Sequence, residues 1–187
     1  MARVASVSVD EFVAAAVGLS QGDFETEPMT RLLTQARLRD EDVARFLRFD
    51  PDRYTRCLIH RTDDVEILAL AWPAASVTPI HDHAGQRCWM VAQSGVFVVD
   101  DYRQIAGVRA PGYAVVEHLG TTPHVTIGMP DYRGERGGDI HRVRVAPECD
   151  RAVSIHVYAK PYTSCLMFDE IANEAREISM DVDLAPL

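Results

Sequence analysis

The chain has 187 residues, 47% of them hydrophobic and 25% charged, which is typical of a soluble globular protein with a sizeable core. Its net charge of −9 disfavours broad nucleic-acid binding, although one buried arginine would still let it accept a small anionic substrate. A run of about 18 apolar residues, the length that crosses a membrane, is missing from the sequence.

These limits favour one domain over residues 1–187 in a cytoplasmic, reducing location. Residues 1–8 lack the apolar core of a secretory signal. The CxxC spacing of a zinc site is missing from the four cysteines, and in a reducing location they need not form disulfides. These cysteines are Cys57, Cys88, Cys149 and Cys165. We expect a monomer or a weak homo-oligomer that binds neither nucleic acid nor a membrane.

Residues 1–50 show the spacing of short amphipathic helices. Apolar residues three or four positions apart predict helices at 9–19, 28–39 and 40–49. Ser8 or Asp10 can cap the first helix and Asp40 the third, and Pro51 ends the segment. We expect this helical lead-in to pack against a larger body.

From Arg53 onward the apolar period changes to two, which is typical of strands. Strands are predicted at residues 54–60, 65–72, 89–93, 96–102, 113–119, 125–128, 140–145, 152–158 and 165–168. The strand at 65–72 is expected to be buried on much of both faces. We expect 89–93 and 96–102 to form a hairpin turned at Ser94 and Gly95, and 140–145 to pair with 152–158.

Many short strands with turn signals predict a mainly β body over residues 53–170, either closed or in two sheets. A Gly- and Arg-rich loop is expected at 131–138. The segment 171–187 is predicted to be a C-terminal tail, with a helical turn at 170–177 before it becomes extended.

The sequence His81-Asp82-His83 is the first candidate metal motif. Residues two apart in a strand point to one face, so His81 and His83 could hold one metal ion, although an exposed polar loop would carry the same motif. His141 is the favoured third ligand, because Gly137 and Gly138 let the chain bend so that this imidazole points into a barrel mouth. The other candidates in exposed-looking surroundings are His60, His118 and His124.

Ser154, His156 and Tyr158 share one face of a predicted strand, between the apolar residues of the other face. A polar face inside such a strand needs partners. On pattern alone, the favoured interpretation is a strand whose polar face meets solvent.

Further motifs occur in a fixed order between Tyr54 and Met180. They are Tyr54-Thr55-Arg56, Trp72 nine residues before His81, Ile80-His81-Asp82-His83, Cys88, Gly95, Ile140-His141-Arg142-Val143, Ser154-x-His156-x-Tyr158, Cys165-x-x-Phe168-Asp169 and Met180. In this order and spacing they resemble the cysteine dioxygenases, thiol dioxygenases of the cupin superfamily. The resemblance implies a cupin-type β-barrel, jelly-roll-like, after the short N-terminal helical segment.

The resemblance also implies Fe(II) held by His81, His83 and His141. Substrate thiolate and amine bind this iron, O2 binds beside them, and the sulfur becomes a sulfinate. Three neutral imidazoles in place of the usual two histidines and one carboxylate remove a negative charge, which suits an anionic thiolate. The same three ligands would also suit a zinc hydrolase, lyase or isomerase.

For the substrate, the resemblance implies that Arg56 pairs with a carboxylate group. Tyr54 would help to anchor the same group. A surface arginine on an edge strand is the alternative. Leu70, Trp72 and Met180 would line the pocket.

The catalytic side centres on Tyr158, a hydrogen-bond donor to bound oxygen or thiolate that His156 and Ser154 would orient. In the resembling family, the cysteine at the Cys88 position can form a thioether with the tyrosine at the Tyr158 position. Alternatively, Cys88 is a small buried free thiol without a role in the site.

Some features depart from animal members of the family. Gln86 and Arg87 precede Cys88, Ala159 and Lys160 replace a Ser-Pro pair after the relay tyrosine, and the loop 120–138 looks longer.

L-cysteine is the leading substrate, with O2 as co-substrate. Arg56 disfavours cysteamine, whereas 3-mercaptopropionate and mercaptosuccinate stay open. A non-catalytic cupin that binds a metal or small ligand is the alternative outside enzymes.

Overall fold

The computed structural model describes residues 4–20, 26–134 and 139–183. The helices are α1 Val9–Ser20, α2 Thr26–Gln35 and α3 Asp40–Ala44. The strands are β1 Ala5–Val7, β2 Ala36–Leu38, β3 Thr55–Arg61, β4 Val65–Pro73, β5 Ile80–His81, β6 Arg87–Ser94, β7 Phe97–Gly107, β8 Gly112–Val125, β9 Asp131–Arg133, β10 Ile140–Val145, β11 Arg151–Ala159, β12 Ser164–Asp169 and β13 Glu174–Ser179. None of the described helices combines the length and apolar character needed to cross a membrane.

Two β layers form the body of the molecule. One is a five-stranded sheet in the order β3-β4-β11-β6-β9, and in the other β10-β5-β12-β13-β8-β7 close on one another. Buried side chains of both layers pack in one cluster, with Leu70 and Trp72 of β4 against Val99 of β7 and Val143 of β10. The predicted mainly β architecture with a short N-terminal helical segment is confirmed.

Strand β4 is buried throughout Val65 to Trp72, which confirms the predicted burial of much of both faces. The one charged residue in this run, Glu66, forms an ion pair with Arg61. Alternate residues face two different cores. Ile67 and Ala69 pack with Phe12 of α1 and Leu33 of α2, whereas Leu70 packs between the two β layers. The helical lead-in therefore covers the outer face of the five-stranded sheet, as expected, and leaves its inner face for the site.

The second and third helices are shorter than their patterns predicted. The segment 36–39 was predicted to be helical, but β2 pairs in parallel with β1 and places Leu38 in the core, so α2 ends at Gln35. The third helix ends at Ala44 instead of residue 49. Strand pairing with a distant segment overrides the local helical spacing here.

Two predicted strand pairings are wrong. Strands β6 and β7 form no hairpin, since β6 pairs with β11 and β9 while β7 pairs with β10 and β8. The chain instead crosses from one layer to the other at Ser94 and Gly95. Strands β10 and β11 likewise lie in different layers and do not pair. A period of two identifies a strand but carries no information on its partner.

The remaining differences lie in the second half of the chain. The strand predicted at 113–119 extends to Val125 as β8, so part of the supposed loop 120–138 is sheet. The strand predicted at 125–128 is wrong beyond Val125, because 127–128 form a turn. Strand β9 occupies the start of the predicted loop at 131–138, whose residues 135–138 lie outside the described residues. Instead of a helical turn, 170–173 form a turn and β13 pairs with β12 and β8.

Gly95 is the residue on which the crossing between the layers depends. Its φ is +77°, and a Cβ there would lie 2.7 Å from Cβ of Ala152 and 3.2 Å from the carbonyl oxygen of Arg151. We expect Gly95→Ala to lower the free energy of unfolding by about 1–3 kcal/mol, because the new methyl group meets backbone in a left-handed conformation. Urea denaturation measures this change.

Gly120→Ala is the matched control, since its Cβ would meet no atom within 4 Å. A change of less than about 0.5 kcal/mol is expected there. Equal effects of the two substitutions would contradict this account of the crossing.

Candidate metal centre

Strand pairing brings the three predicted metal ligands together. His81 ends β5, and His141 at the start of β10 lies directly opposite it in the antiparallel register. The ring centroids of His83 lie 5.3 Å from His81 and 4.8 Å from His141, and those of His81 and His141 are 4.7 Å apart. One ligand atom from each residue lies within 4.8 Å of the others.

The route by which His83 joins the group differs from the prediction. The strand ends at His81, so His81 and His83 do not share the face of one continuous strand. Asp82 between them anchors the bend, because its Oδ1 accepts hydrogen bonds from the backbone N–H of Leu166 at 2.9 Å and of Ala84 at 3.2 Å.

Arg109 forms ion pairs with both segments that carry the ligand candidates, one at Asp82 and the other at Asp139. Its guanidinium lies 3.4 Å from Oδ2 of Asp82 and 2.5 Å from Oδ1 of Asp139. Asp82 is flanked by two of the histidines, and Asp139 is two residues before His141. This ion pair therefore stabilises the relative position of the segments that carry all three imidazoles.

The nitrogen atoms of the group fit a metal ion. Burial lowers the pKa of His81, His83 and His141, and mutual repulsion lowers the last two further. Neutral imidazoles keep a lone pair for coordination. His81 Nδ1 lies 3.0 Å from the carbonyl oxygen of Pro79, which leaves its Nε2 for a ligand. The group can thus bind a metal that accepts three nitrogen ligands.

The carboxylate of Asp131 lies close to the imidazole of His141, one of the three ligand candidates. Oδ2 of Asp131 lies 3.6 Å from Nδ1 of His141, and the same carboxylate accepts hydrogen bonds from Arg133 at 2.6 and 2.8 Å. At 3.6 Å this contact is longer than a hydrogen bond, and Nδ1 of His141 has no hydrogen-bond partner among the described residues. The sequence analysis missed this carboxylate, because Asp131 falls in the segment predicted to be a loop.

Arg56 faces the same cavity from the five-stranded sheet. Only 7% of its surface is exposed, so the interpretation as a surface arginine is wrong. Its Nε and Nη2 have no hydrogen-bond partner among the described residues. Its Cζ lies 5.9 Å from the ring centroid of Tyr158. A buried guanidinium with unpaired donors favours a bound anion.

The polar face of β11 is buried, which contradicts the solvent-facing interpretation. Ser154, His156 and Tyr158 are 0%, 6% and 2% exposed. Oγ of Ser154 lies 2.9 Å from Nε2 of His156, whose Nδ1 lies 3.3 Å from the Tyr158 hydroxyl. Trp72 Nε1 donates to Oγ of Ser154 at 2.9 Å. These contacts form one buried chain that ends at Tyr158.

Burial also fixes the protonation of this chain. Desolvation, and next the positive charge of Arg56, lowers the pKa of His156 to about 3, so its imidazole is neutral. Burial raises the pKa of Tyr158 well above its usual value. The phenol hydroxyl therefore stays protonated at neutral pH.

Cys88 lies beside the end of the chain. It is 1% exposed and directly opposite Tyr158 in the pairing of β6 with β11. Burial raises the pKa of its thiol, although the Tyr158 hydroxyl opposes this as a hydrogen-bond partner. All four cysteines are free thiols.

One cavity joins these groups with the predicted pocket residues. Tyr54, Leu70, Trp72 and Met180 line it together with Arg56, the three metal-ligand candidates, His156 and Tyr158. Tyr54 stacks on Trp72 with ring centroids 4.6 Å apart. The sequence analysis missed Ile178, which lines the cavity from the unpredicted β13, and Tyr162, whose ring lies 5.1 Å from that of Tyr158.

Comparison with known proteins finds a family model and relatives that carry the same description. A family model described as cysteine dioxygenase type I matches residues 18–171. Cysteine dioxygenase type 1 of Danio rerio is 25% identical over 160 residues, which cover 82% of this chain and 75% of that protein. The Homo sapiens protein of the same name is 24% identical over 143 residues, covering 73% of this chain and 66% of its own length.

A solved structure with a similar fold comes from Klebsiella pneumoniae. It is described as an uncharacterized conserved protein with a double-stranded beta-helix domain. It is 16% identical, with a TM-score of 0.46, and the match covers 67% of this chain and 87% of that one.

Metal binding should depend on His83. We expect Zn²⁺ at about 100 times its dissociation constant to stabilise the wild-type protein by about 2.7 kcal/mol, because the ion binds only the folded state. His83→Ala should abolish this gain and lower the bound metal at least about tenfold. Thermal unfolding and elemental analysis measure the two quantities.

His118→Ala is the control, because its side chain is 47% exposed and lies outside the three-histidine group. Circular dichroism must show that the metal-free variants are folded. Full metal loading of the His83→Ala protein would rule out this centre.

Proposed function

The chain belongs to the cysteine dioxygenase type I family, and on that premise we propose that it is an Fe(II)-dependent thiol dioxygenase acting on L-cysteine. One observation carries the proposal. A buried arginine with unpaired donors shares a cavity with three neutral histidines. In the reaction both atoms of O2 are added to the sulfur, which loses four electrons while O2 gains four, and cysteine sulfinic acid results.

His81, His83 and His141 would hold Fe(II). Bound iron supplies the one-electron chemistry that lets O2 react with a thiolate. Because the three imidazoles are neutral, they add no negative charge that would repel an anionic thiolate. The Asp131 carboxylate, 3.6 Å from Nδ1 of His141, would stabilise the positive charge that metal binding places on this ligand.

Arg56 would bind the substrate carboxylate. Although burial acts to lower its pKa, Tyr158 and Tyr162 raise it overall, so the guanidinium stays charged. Its Nε–H and Nη2–H are free to donate, and a carboxylate can accept both. The stacked rings of Tyr54 and Trp72 form one wall of the cavity, and Leu70 and Met180 line it with apolar groups.

Tyr158 would direct a proton toward the reacting sulfur and oxygen. The indole N–H of Trp72 can only donate, so Oγ of Ser154 accepts this hydrogen bond. The Ser154 hydroxyl can in turn donate a hydrogen bond to Nε2 of His156. Nδ1–H of His156 then donates to the oxygen of Tyr158. The Tyr158 hydrogen can then be donated to the sulfur of Cys88 or to a ligand in the cavity.

The free cysteines also support a cytoplasmic location, because four unpaired thiols suit a reducing compartment. Substrate thiol and O2 are the partners that this function requires.

Oxygen uptake by Fe(II)-loaded protein tests the function. We expect uptake with L-cysteine, and a fall in kcat/KM of about 10²- to 10³-fold in Arg56→Ala, because the substrate carboxylate loses its charged partner. Arg103→Ala is the matched control, since that arginine is 59% exposed and pairs with Glu117. Protein loaded with Zn²⁺ should consume no O2.

The same assay separates the alternatives. Uptake with 3-mercaptopropionate or mercaptosuccinate but not with L-cysteine would support the iron-dependent dioxygenase reaction and contradict L-cysteine as the substrate. No uptake with any thiol, in protein that retains iron, would favour a non-catalytic cupin that binds a metal or small ligand.

We also propose a thioether between Cys88 and Tyr158, which face each other in the strand register. A sulfur–carbon bond would form as the thiol S–H and one ring C–H break, and O2 would take the two protons and two electrons to become hydrogen peroxide. Protein that has turned over should show an intact mass lower by two hydrogens, with Cys88→Ser as the control. An unchanged mass, with separate Cys88 and Tyr158 peptides, would contradict the cross-link.

A further inference from the structure

The reaction above leaves the hydroxyl of Tyr162 unused, although the Tyr162 ring contacts two residues that line the cavity, His83 and Tyr158. Tyr162 lies in the link between β11 and β12, after Pro161. Its side chain is buried, with 9% exposed, and its hydroxyl has no hydrogen-bond partner among the described residues. An unpaired buried hydroxyl costs stability, and a bound group that accepts its hydrogen bond would offset that cost.

The ring of Tyr162 lies between two parts of the site. Its centroid is 5.1 Å from that of Tyr158, at an interplanar angle of 77°, and 6.3 Å from that of His83, at 87°. Both contacts are edge-to-face. They place Tyr162 beside the end of the hydrogen-bonded chain and next to a metal-ligand candidate.

Tyr162 and Arg56 both lie against the ring of Tyr158. The ring centroid of Tyr162 is 5.1 Å from that of Tyr158, and Cζ of Arg56 is 5.9 Å from the same centroid. Nε and Nη2 of Arg56 are unpaired, as is the Tyr162 hydroxyl. Three buried donors in one region therefore have no partner within the described residues.

We propose that the Tyr162 hydroxyl determines specificity by donating a hydrogen bond to the substrate carboxylate beside the guanidinium of Arg56. The proposal rests on the thiol dioxygenase function. A carboxylate has about four lone-pair sites, so two N–H groups and one O–H group can all be accepted. The substrate would thereby satisfy three donors that the free protein leaves unpaired.

The alternative is that Tyr162 only fills space. A phenylalanine would then pack equally well, and its introduction would leave ligand binding unchanged. Tyr162→Phe separates the two interpretations, because it keeps the ring contacts with Tyr158 and His83 and removes only the hydroxyl.

The test is anaerobic calorimetric titration of the full-length, Fe(II)-loaded protein. Tyr162→Phe should raise the dissociation constant for L-cysteine about tenfold. Cysteamine, which has the thiol and the amine but lacks the carboxylate, should bind the variant as it binds the wild type, within about twofold. Tyr113→Phe is the control, because that ring is 65% exposed.

Thermal unfolding of the substrate-free protein provides an independent measurement. Removing an unpaired hydroxyl should leave the midpoint of Tyr162→Phe unchanged or higher. A lower midpoint would show that the hydroxyl already has a partner within the protein and would overturn the proposal.

Two further results would also overturn the proposed role of the Tyr162 hydroxyl. One is an unchanged affinity for L-cysteine, and the other is equal weakening for L-cysteine and cysteamine, which would place the hydroxyl at the thiol end. Wild-type protein that binds neither thiol would overturn the dioxygenase function itself. Wild-type binding of L-cysteine with no effect of Tyr162→Phe would overturn only the role of Tyr162.

Discussion

Loss of water between the two β layers sets the chemical state of the groups in the cavity. Burial keeps the imidazoles of His81, His83 and His141 neutral, so each retains a lone pair. It keeps the Tyr158 hydroxyl protonated, so that this group can donate. Arg56 remains charged in the same space. A neutral metal-binding group beside one fixed positive charge suits a ligand with an anionic sulfur and an anionic carboxylate.

Strand β4 and its neighbour β11 are covered on both faces. The helices pack on Ile67 and Ile155, while Leu70 and Tyr158 face the second layer. The cavity residues of these two strands, Leu70, Trp72, His156 and Tyr158, are therefore held from both sides. Rigid strands hold the groups of a site more closely than loops can.

The sequence predicted the chemical groups better than the strand pairing that assembles them. Strand periodicity places Ser154, His156 and Tyr158 on one face, and motif order singles out His81, His83 and His141. The structure gathers both sets, although His83 joins its group from beyond the end of β5. The pairing of β6 with β11, and the entry of β13 into the second layer, depend on contacts far apart in the chain. Tyr162 was missed for the same reason, since only the fold brings it against Tyr158 and His83.

The central claim is that the cavity joins both atoms of O2 to the sulfur of a carboxylate-bearing thiol. Mass spectrometry of the product formed from isotopically labelled O2 tests it most directly, with Fe(II)-loaded protein and L-cysteine. The account predicts a sulfinic acid in which both oxygens on sulfur carry the label. A product with one labelled oxygen or none, or a disulfide in place of the sulfinic acid, would contradict it.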